Sequence, residues 1–369
     1  MKITSIRTYF VTPRCLLVRV DTDAGITGVG EALPDKGAAT AGAIKHLASF
    51  LLGKDPRQIE LHWQEMYRGG FWRGGPILNA AISGIEQAFW DITGKWLGAP
   101  VSALLGGACR TKVKAYRGIG GGTLDELANS AKEAVKAGFG AVKFGPIPTT
   151  RWMVSASVAR AAGEQMEAVR QAVGDEVDIL LDFHGRLGPA GAIQVGLAVA
   201  PFRPLFIEEP CLPENVDALA QVARSIPVPI ATGERLFTRF GFREVLEKQA
   251  AAVLQPDLGA CGGIFEGRKI AAMAETYYVS VAPHDPYGPV MTAASLQLDL
   301  CTPNFLVQEL GGLGEGVLLE PLKIEGGYLI PPDKPGLGVE VDWEKVEKSQ
   351  AEPFDPPVIY LEDGSVADW

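Results

Sequence analysis

The fold is decided by a stretch from residue 178 to residue 309 that contains six short apolar segments: DILLD (178–182), LFIE (205–208), PIATGE (229–234), AVLQPD (252–257), VSVAPH (279–284) and FLVQE (305–309). Each segment ends on an acid or an imidazole, namely Asp182, Glu208, Glu234, Asp257, His284 and Glu309. Their spacing of roughly 25 residues is the length of a strand, a loop, a helix and a second loop. It predicts one polar side chain at the carboxyl end of each successive strand, which is the layout of a barrel active site.

Two further strand patterns precede this stretch, at VKAYRG (113–118) and AVKFG (141–145), and amphipathic helical patterns separate the strands. Eight parallel strands close a barrel. No helical pattern follows Leu310, so we expect a modified TIM barrel of the (β/α)7β type over residues 112–315.

The two ends of the chain have a different character. Residues 1–111 begin with three strand patterns (2–10, 15–21 and 26–32) and continue with three helical ones (37–52, 57–67 and 77–96), which predicts an α+β domain. Residues 316–369 are rich in glycine and proline and read as loops and short strands. We expect this tail to return to the first domain, so that an α/β barrel is capped by both ends of the chain.

Composition excludes several classes of protein. The chain has 369 residues and a formal net charge of −10, which would repel a nucleic-acid backbone. No run approaches the roughly 18 apolar residues of a membrane span, and the amino terminus reads as a strand, so a cytoplasmic protein is expected. Its five cysteines are widely spaced and form no CxxC pair, which argues against a disulfide framework and a thiolate metal site.

The strand-end motifs resemble a known family. They are DFHGR (182–186), FIEEP (206–210), ATGER (231–235), LQPDLGACGGI (254–264), VAPHDPYGP (281–289) and VQEL (307–310). In this order they are similar to the enolase superfamily, and within it to the mandelate racemase group and its galactonate dehydratase branch. FWRGGPI (71–77) and KPGLGVE (334–340) extend the resemblance over nearly the whole chain.

Three carboxylates are candidates for a metal site. Asp182, Glu208 and Glu234 end neighbouring strands and should converge, and carboxylates without Cys or His suit Mg²⁺ better than zinc. The resemblance implies the same ligands. The alternative is that these acids pair with Arg or Lys on nearby loops. Because adjacent strand residues point to opposite faces, only one of Glu208 and Glu209 can reach the metal, and the spacing favours Glu208.

Two histidines and an acid are candidates for proton transfer. Asp257 and His284 close adjacent strands and can hydrogen-bond, which would fix the imidazole tautomer and raise its basicity as a general base requires. A purely structural pair is the alternative. The resemblance implies the base. His184 lies two residues past Asp182 and could protonate a leaving hydroxyl or support the metal site. Glu309, if protonated or sharing a proton, could donate a hydrogen bond to an enediolate.

Lys143 and Gly145 bear on the type of reaction. Racemases of this group often carry Lys-x-Lys here, and Gly145 lacks the second base, which favours elimination over racemisation. Lys143 could neutralise the substrate carboxylate or pair with a metal-ligating acid. The galactonate dehydratase branch tends to carry Asn near position 145 and Cys after the base, whereas this chain has Gly145 and Asp285, which leaves the particular sugar acid open.

Specificity is expected to come from the capping domain. In the family the loops at about 32–38 and 68–75 face the barrel mouth, and the second of these contains an aromatic residue and an arginine, Trp72 and Arg73, that could grip hydroxyls or a distal carboxylate. Packing is the alternative for these aromatics. Arg186 and Asp285 complete the expected set of substrate contacts.

These observations lead to a specific functional hypothesis. We expect a Mg²⁺-dependent dehydratase that removes the C2 proton of an aldonate, expels the C3 hydroxyl and yields a 2-keto-3-deoxy acid, with D-galactonate as the first candidate. The alternatives are an epimerase or cycloisomerase on the same scaffold, and a non-catalytic sugar-acid binding protein. A small acid sugar is the expected partner, and the resemblance makes a homo-oligomer plausible.

Overall fold

In the computed structural model, which describes all 369 residues, the chain opens with an antiparallel sheet of β1 (Ile3–Val11), β2 (Cys15–Thr22) and β3 (Thr27–Ala32). Four helices follow: α1 (Gly37–Leu51), α2 (Ile59–Arg68), α3 (Pro76–Leu97) and the short α4 (Val101–Leu104). Helix α3 lies directly on β3, where Gly30 leaves room for the backbone of α3. The predicted α+β capping domain is confirmed.

Eight parallel strands form the second domain. They are β4 (Val113–Gly118), β5 (Ala141–Phe144), β6 (Asp178–Asp182), β7 (Phe206–Glu208), β8 (Ile230–Thr232), β9 (Val253–Leu254), β10 (Ser280–Val281) and β11 (Gln308–Glu309). Strands β4 to β10 pair in chain order. The last strand, β11, pairs with β4, and Phe305 just before it bridges to Val281 of β10. These pairings join the last strand to both edges of the sheet.

A helix follows each of the first seven barrel strands. They are α5 (Leu124–Lys136), α6 (Ala156–Val173), α7 (Pro189–Val199), α8 (Val216–Ser225), α9 (Thr238–Glu247), α10 (Ile264–Glu275) and α11 (Pro289–Leu300). No helix directly follows β11, where the chain instead enters the tail, so the predicted (β/α)7β arrangement is confirmed. None of the helices is both long enough and apolar enough to cross a membrane.

Several barrel strands are shorter than the sequence patterns predict. The pattern at residues 205–208, for example, yields a ladder of only Phe206–Glu208. The chain leaves the ladder because Glu209 adopts a left-handed backbone with φ of 42°. At β8 the chain turns through Gly233, whose φ is 141°. These turns free the strand ends to direct side chains into the barrel mouth.

The barrel interior is filled by one apolar side chain from each of the eight strands or its flank. The layer consists of Tyr116, Ala141, Leu180, Phe206, Ala231, Val253, Ala282 and Val307, all buried. Successive side chains on a strand alternate in direction, so residues two positions further on point the same way at the next level. Lys143, Asp182, Glu208, His284 and Glu309 occupy that next level.

The tail makes three successive contacts. A hairpin of β12 (Lys323–Glu325) and β13 (Tyr328–Ile330) pairs antiparallel with β4 of the barrel. The helix α12 (Trp343–Lys348) then leads to Gln350, which bridges to Val11 of the capping sheet. The last residues pass over the barrel mouth, where Trp152 donates a hydrogen bond of 2.9 Å to Asp368.

Candidate active site

A cavity of about 720 Å³ opens at the carboxyl ends of the barrel strands. Its barrel wall includes Lys143, Asp182, His184, Glu234, Asp257, His284 and Glu309. The capping domain contributes Arg14, Leu33, Asp35 and Pro76, and the tail contributes Pro356 and Trp369. Glu208 lies beneath this wall and is fully buried. Of the twelve residues selected from the sequence, eight therefore come together in or under one cavity.

His284 and Asp257 form a hydrogen-bonded pair. Asp257 Oδ2 lies 2.9 Å from His284 Nδ1, and Asp257 Oδ1 accepts a bond of 2.7 Å from the Gly259 amide. With Nδ1 engaged by a buried carboxylate, Nε2 is the nitrogen that faces the cavity, 3.2 Å from Glu234 Oε2. Burial alone would lower the pKa of His284, but Glu234, Glu309 and Asp257 hold it well above its usual value. The imidazole is therefore strongly basic in this arrangement.

Lys143 sits among three of the acids. Its Nζ lies 2.7 Å from Glu309, 3.0 Å from Glu208 and 3.7 Å from Asp182. Although burial would lower the pKa of Lys143, these carboxylates hold it well above its usual value. The predicted ion pair between Lys143 and metal-ligating acids is thus present, and it involves two of the candidate ligands, Glu208 and Asp182.

The pKa values of four acids at the site are shifted in different directions. Burial raises the pKa of Glu208 to about 7 and that of Glu234 well above its usual value. Burial acts in the same direction on Asp182 and Glu309, but Lys143 overcomes it and holds the pKa of both acids below the usual value. The ion pair with Lys143 therefore favours the ionised form of Glu309 in this arrangement.

Donor chemistry at the cavity fits a hard divalent cation. Asp182, Glu208 and Glu234 offer only carboxylate oxygens, the donors that Mg²⁺ prefers, and their pooled negative charge exceeds what Lys143 alone can balance. Donor atoms of Glu208, Glu234 and His284 lie within 4.8 Å of one another. Asp182 instead turns toward Lys143 and His184. The predicted ligands and this group of neighbouring donors share Glu208 and Glu234. The third residue is Asp182 in the first and His284 in the second.

His184 lies across the cavity from His284. The two residues follow β6 and β10, which are four strands apart in a ring of eight. His184 adopts a left-handed backbone with φ of 53°, and its Nε2 lies 3.1 Å from Asp182 Oδ2. About a third of its side chain is exposed, and its ring centroid lies 5.5 Å from that of Trp369. The site therefore presents one imidazole on each side.

Glu209 is separated from the acids of the cavity. Its carboxylate accepts a hydrogen bond of 2.9 Å from Arg235 Nε and another from the hydroxyl of Thr232. Glu208, its neighbour, contacts Lys143 instead. Of the two adjacent acids, Glu208 is the one that faces the barrel interior.

Four expected substrate contacts do not line the cavity. Trp72 is 86% exposed and Arg73 is also exposed, in a loop that ends at two glycines with positive φ, Gly74 and Gly75. The side chain of Asp285 is buried on the opposite side of the chain from His284, as alternation requires, and only its backbone amide reaches Glu309 at 2.9 Å. The guanidinium of Arg186 donates to the carbonyl of Ile147 at 2.5 Å.

Other residues that line the cavity were not predicted from the sequence. Arg14 lies in the turn between β1 and β2, and its guanidinium pairs with Asp35 at 2.8 Å. The same guanidinium lies over the rings of Tyr287, at 5.1 Å, and Phe354, at 4.5 Å. Asp35 falls within the loop at 32–38 that was expected to face the mouth. Nothing in the spacing of Arg14, Tyr287 or Trp369 links them to the strand ends, since only the tertiary fold brings them together.

Comparisons with known proteins agree with this architecture. The model of the mandelate racemase / muconate lactonizing enzyme N-terminal domain matches residues 3–106, and the enolase C-terminal domain-like model matches residues 126–346. D-Galactonate dehydratases of Ralstonia nicotianae and Ralstonia pickettii are 44% and 45% identical, with all of each chain covered. A solved member of the enolase superfamily from Salmonella Typhimurium is 33% identical, with 94% of this chain and 98% of that chain covered and a TM-score of 0.90.

Proposed function

The chain belongs to the mandelate racemase / muconate lactonizing enzyme family of the enolase superfamily, and on this premise we propose that it is a Mg²⁺-dependent dehydratase of sugar acids, with D-galactonate as its first candidate substrate. Since its full-length relatives are dehydratases, the chain is an enzyme of the lyase class. One observation carries the proposal: two imidazoles flank a single acidic cavity, and one of them is oriented by a buried carboxylate.

The cation would be held by Asp182, Glu208 and Glu234. A bound Mg²⁺ would stabilise the negative charge that develops on the substrate carboxylate and would offset the acidic charge that keeps a proton on His284. Lys143, which now balances part of this charge, would remain beside the same oxygens. Lys143 Nζ, 2.7 Å from Glu309, can also donate a hydrogen bond to the enediolate.

His284 is the proposed general base. Asp257 engages its Nδ1, so Nε2 is the nitrogen available to take the C2 proton. The electron pair of the C2–H bond then moves into the bond between C1 and C2. A carbon acid of this kind is weak, so the stabilisation of the resulting negative charge by the cationic groups is essential.

His184 is the proposed general acid. The enediolate electrons return to form the C2–C3 double bond while the C3–O bond breaks, and His184 supplies the proton with which the hydroxyl leaves as water. The resulting enol tautomerises to a 2-keto-3-deoxy acid. Because the two histidines lie on opposite sides of the cavity, His284 can remove the C2 proton while His184 protonates the departing C3 oxygen.

Two residues on and just after β5, Lys143 and Gly145, weigh against epimerisation. Exchange of configuration at C2 needs a base on each face of the carbon, and Gly145 provides none. The one basic residue that β5 carries, Lys143, is held in ion pairs with Glu208 and Glu309. A sugar-acid binding protein without turnover would have no use for the oriented pair of His284 and Asp257.

A substrate panel tests the proposal. The purified protein with Mg²⁺ is incubated with aldonates, uronates and aldarates, and 2-keto-3-deoxy acid formation is measured. We expect D-galactonate or a closely related aldonate to react. Proton exchange at C2 without loss of the hydroxyl would favour an epimerase, and binding of Mg²⁺ without reaction of any acid would contradict the dehydratase proposal.

A further inference from the structure

We propose that the part of the cavity wall formed by Arg14 and Asp35 selects sugar acids whose far end carries hydroxyl groups and rejects those with a second carboxylate, and that Trp369, which lies beside His184, supplies an apolar surface to the same substrate chain. This inference deepens the proposed function and rests on it, because it concerns the part of the substrate beyond the reacting carbons. It assigns the specificity to the β1–β2 turn, the loop after β3 and the tail, none of which contributes to the acid and base pair.

The Arg14 guanidinium is held in one position by its neighbours. It is about a quarter exposed, pairs with Asp35 at 2.8 Å, and lies over the rings of Tyr287 and Phe354. An arginine packed on aromatic faces and engaged with a carboxylate has few alternative rotamers. Arg14 and Asp35 therefore present a donor and an acceptor side by side to the cavity.

The wall of the cavity carries more acidic than permanently cationic side chains. The cavity has three permanently cationic side chains, Arg14, Lys143 and Arg235, and each already has an acidic partner. The same wall carries six acids: Asp35, Asp182, Glu214, Glu234, Asp257 and Glu309. A cation at the strand ends would serve the reacting carboxylate. A second carboxylate would meet no free cation and would be repelled by Asp35.

A hydroxyl group suits this pair better than a carboxylate does. It can donate a hydrogen bond to Asp35 and accept one from Arg14 at the same time, so that both charged groups remain satisfied. A carboxylate can only accept, so it could bond to Arg14 but would bring its negative charge beside Asp35 with no hydrogen between the two groups. The arrangement thus fits the terminal hydroxyl groups of an aldonate and not the second carboxylate of an aldarate.

Trp369 supplies an apolar surface to the same cavity. The ring lies 5.5 Å from that of His184, and the residue is 48% exposed. The tail is held nearby by the hydrogen bond from Trp152 to Asp368 and by an ion pair between Arg151 and Asp363. An aromatic face beside polar groups is suited to the C–H face of a polyhydroxylated chain.

The charge argument is tested by exchanging Asp35 for its neutral isostere. We compare kcat/KM of the Mg²⁺-loaded enzyme on D-galactonate and on galactarate, which differs by the second carboxylate. Wild type should prefer the aldonate, and Asp35→Asn, which frees Arg14, should raise the galactarate-to-galactonate ratio by about tenfold or more. Asp55→Asn is the matched control, because Asp55 pairs with Arg57 at 2.6 Å in the capping domain and does not line the cavity.

Two results would overturn the inference. One is a wild-type enzyme that uses galactarate as well as galactonate, and the other is an Asp35→Asn variant with an unchanged ratio. If wild type turned over neither acid, the proposed function would fail instead, and calorimetric binding of both acids to the Mg²⁺-loaded protein would still test the selectivity. Preferred binding of the aldonate would then uphold the inference, and equal binding would contradict it.

The tail is tested separately with Trp369→Leu. Loss of the aromatic face should raise KM for the aldonate by about threefold to tenfold and leave kcat nearly unchanged, since the acid and base are intact. Trp96→Leu, at an exposed position outside the cavity, should leave both constants unchanged. The substrate-dependent change in tryptophan fluorescence should diminish only in Trp369→Leu. An unchanged KM with an unchanged fluorescence response would remove Trp369 from the proposed surface.

Discussion

At the scale of single residues, the charge balance of the site depends on Lys143. This side chain contacts Glu309, Glu208 and Asp182 and is nearly buried. Strand-end acids could be predicted from their spacing, but the way in which one lysine divides its contacts among them could not. It depends on rotamers that only the assembled ring determines.

The two histidines should fail in different ways when replaced. We expect His284→Ala to abolish exchange of the C2 proton with deuterium from solvent, because the base is missing. His184→Ala should retain exchange and lose elimination, because only the leaving hydroxyl lacks its proton donor. Mass spectrometry of recovered substrate and assay of the keto acid measure the two steps. The exposed His46 provides the control His46→Ala, and exchange that persists in His284→Ala would refute the assignment.

The third metal ligand can be identified by binding alone. If Asp182 completes the site, Asp182→Asn should weaken Mg²⁺ binding in calorimetry by at least about tenfold, and His284→Asn should change it little. The opposite result would indicate the group of Glu208, Glu234 and His284, which would suit a transition metal better.

The residues of the barrel mouth that were predictable share one property: they lie on the barrel strands or within three residues of a strand's carboxyl end. His284 and Glu309 follow the buried Ala282 and Val307 by two positions, so alternation assigns their direction. Trp72 and Arg73 lie in a loop that ends at Gly74 and Gly75, whose φ values of 85° and 79° no sequence pattern specifies. Roles based on strand position were therefore accessible to sequence reasoning, whereas loop contacts were not.

At the scale of elements, the contact between β3 and α3 depends on the absence of side chains. A Cβ atom on Gly30 would lie 2.0 Å from the carbonyl oxygen of Gly84, and one on Gly28 would lie 2.3 Å from that of Ala88. Helix and strand are therefore packed backbone to backbone. The sequence predicted both elements correctly, but not this separation, because glycine in a strand is equally compatible with a bulge.

A pair of glycine substitutions tests this packing. Gly30→Ala should lower the free energy of unfolding by about 1–3 kcal/mol or more, because backbone must move to admit the methyl group. Gly42→Ala, on the exposed face of α1 with nothing within 4 Å of the new Cβ, should raise it by about 0.5–1 kcal/mol. Urea denaturation of both variants measures the difference. Equal effects would show that the element contact is looser than described.

At the scale of the whole molecule, buried acids of the capping domain bond to the amino termini of barrel helices. Glu86 of α3 accepts hydrogen bonds from the Ile264 and Phe265 amides at the start of α10, at 2.8 and 2.9 Å. Glu31 of β3 accepts one from Met291 in the first turn of α11, at 3.0 Å. These bonds orient the capping domain over the barrel mouth and satisfy free helix amides.

The Glu86 contact makes stability depend on pH. Burial raises its folded pKa to about 7 from an ordinary 4.5, so the folded state binds the extra proton. The contribution is complete below about pH 4.5 and is lost as the pH rises through about 7, at up to about 1.4 kcal/mol per pH unit. Glu86→Gln should flatten this fall between pH 5 and 7 relative to wild type. Unfolding curves across that range measure it, with the exposed Glu133→Gln as control, and parallel curves for wild type and Glu86→Gln would contradict the prediction.

The pairing of β11 with β4 has a consequence for synthesis. Nearly two hundred residues lie between Tyr116 and its partner Glu309 on the neighbouring strand, so the ring is completed by one of the last barrel segments to leave the ribosome. Until residues 305–309 emerge, β4 and β10 expose unpaired backbone groups at two sheet edges. A nascent chain stalled before that point would therefore be prone to aggregate and would depend on chaperones in a way that the finished enzyme does not.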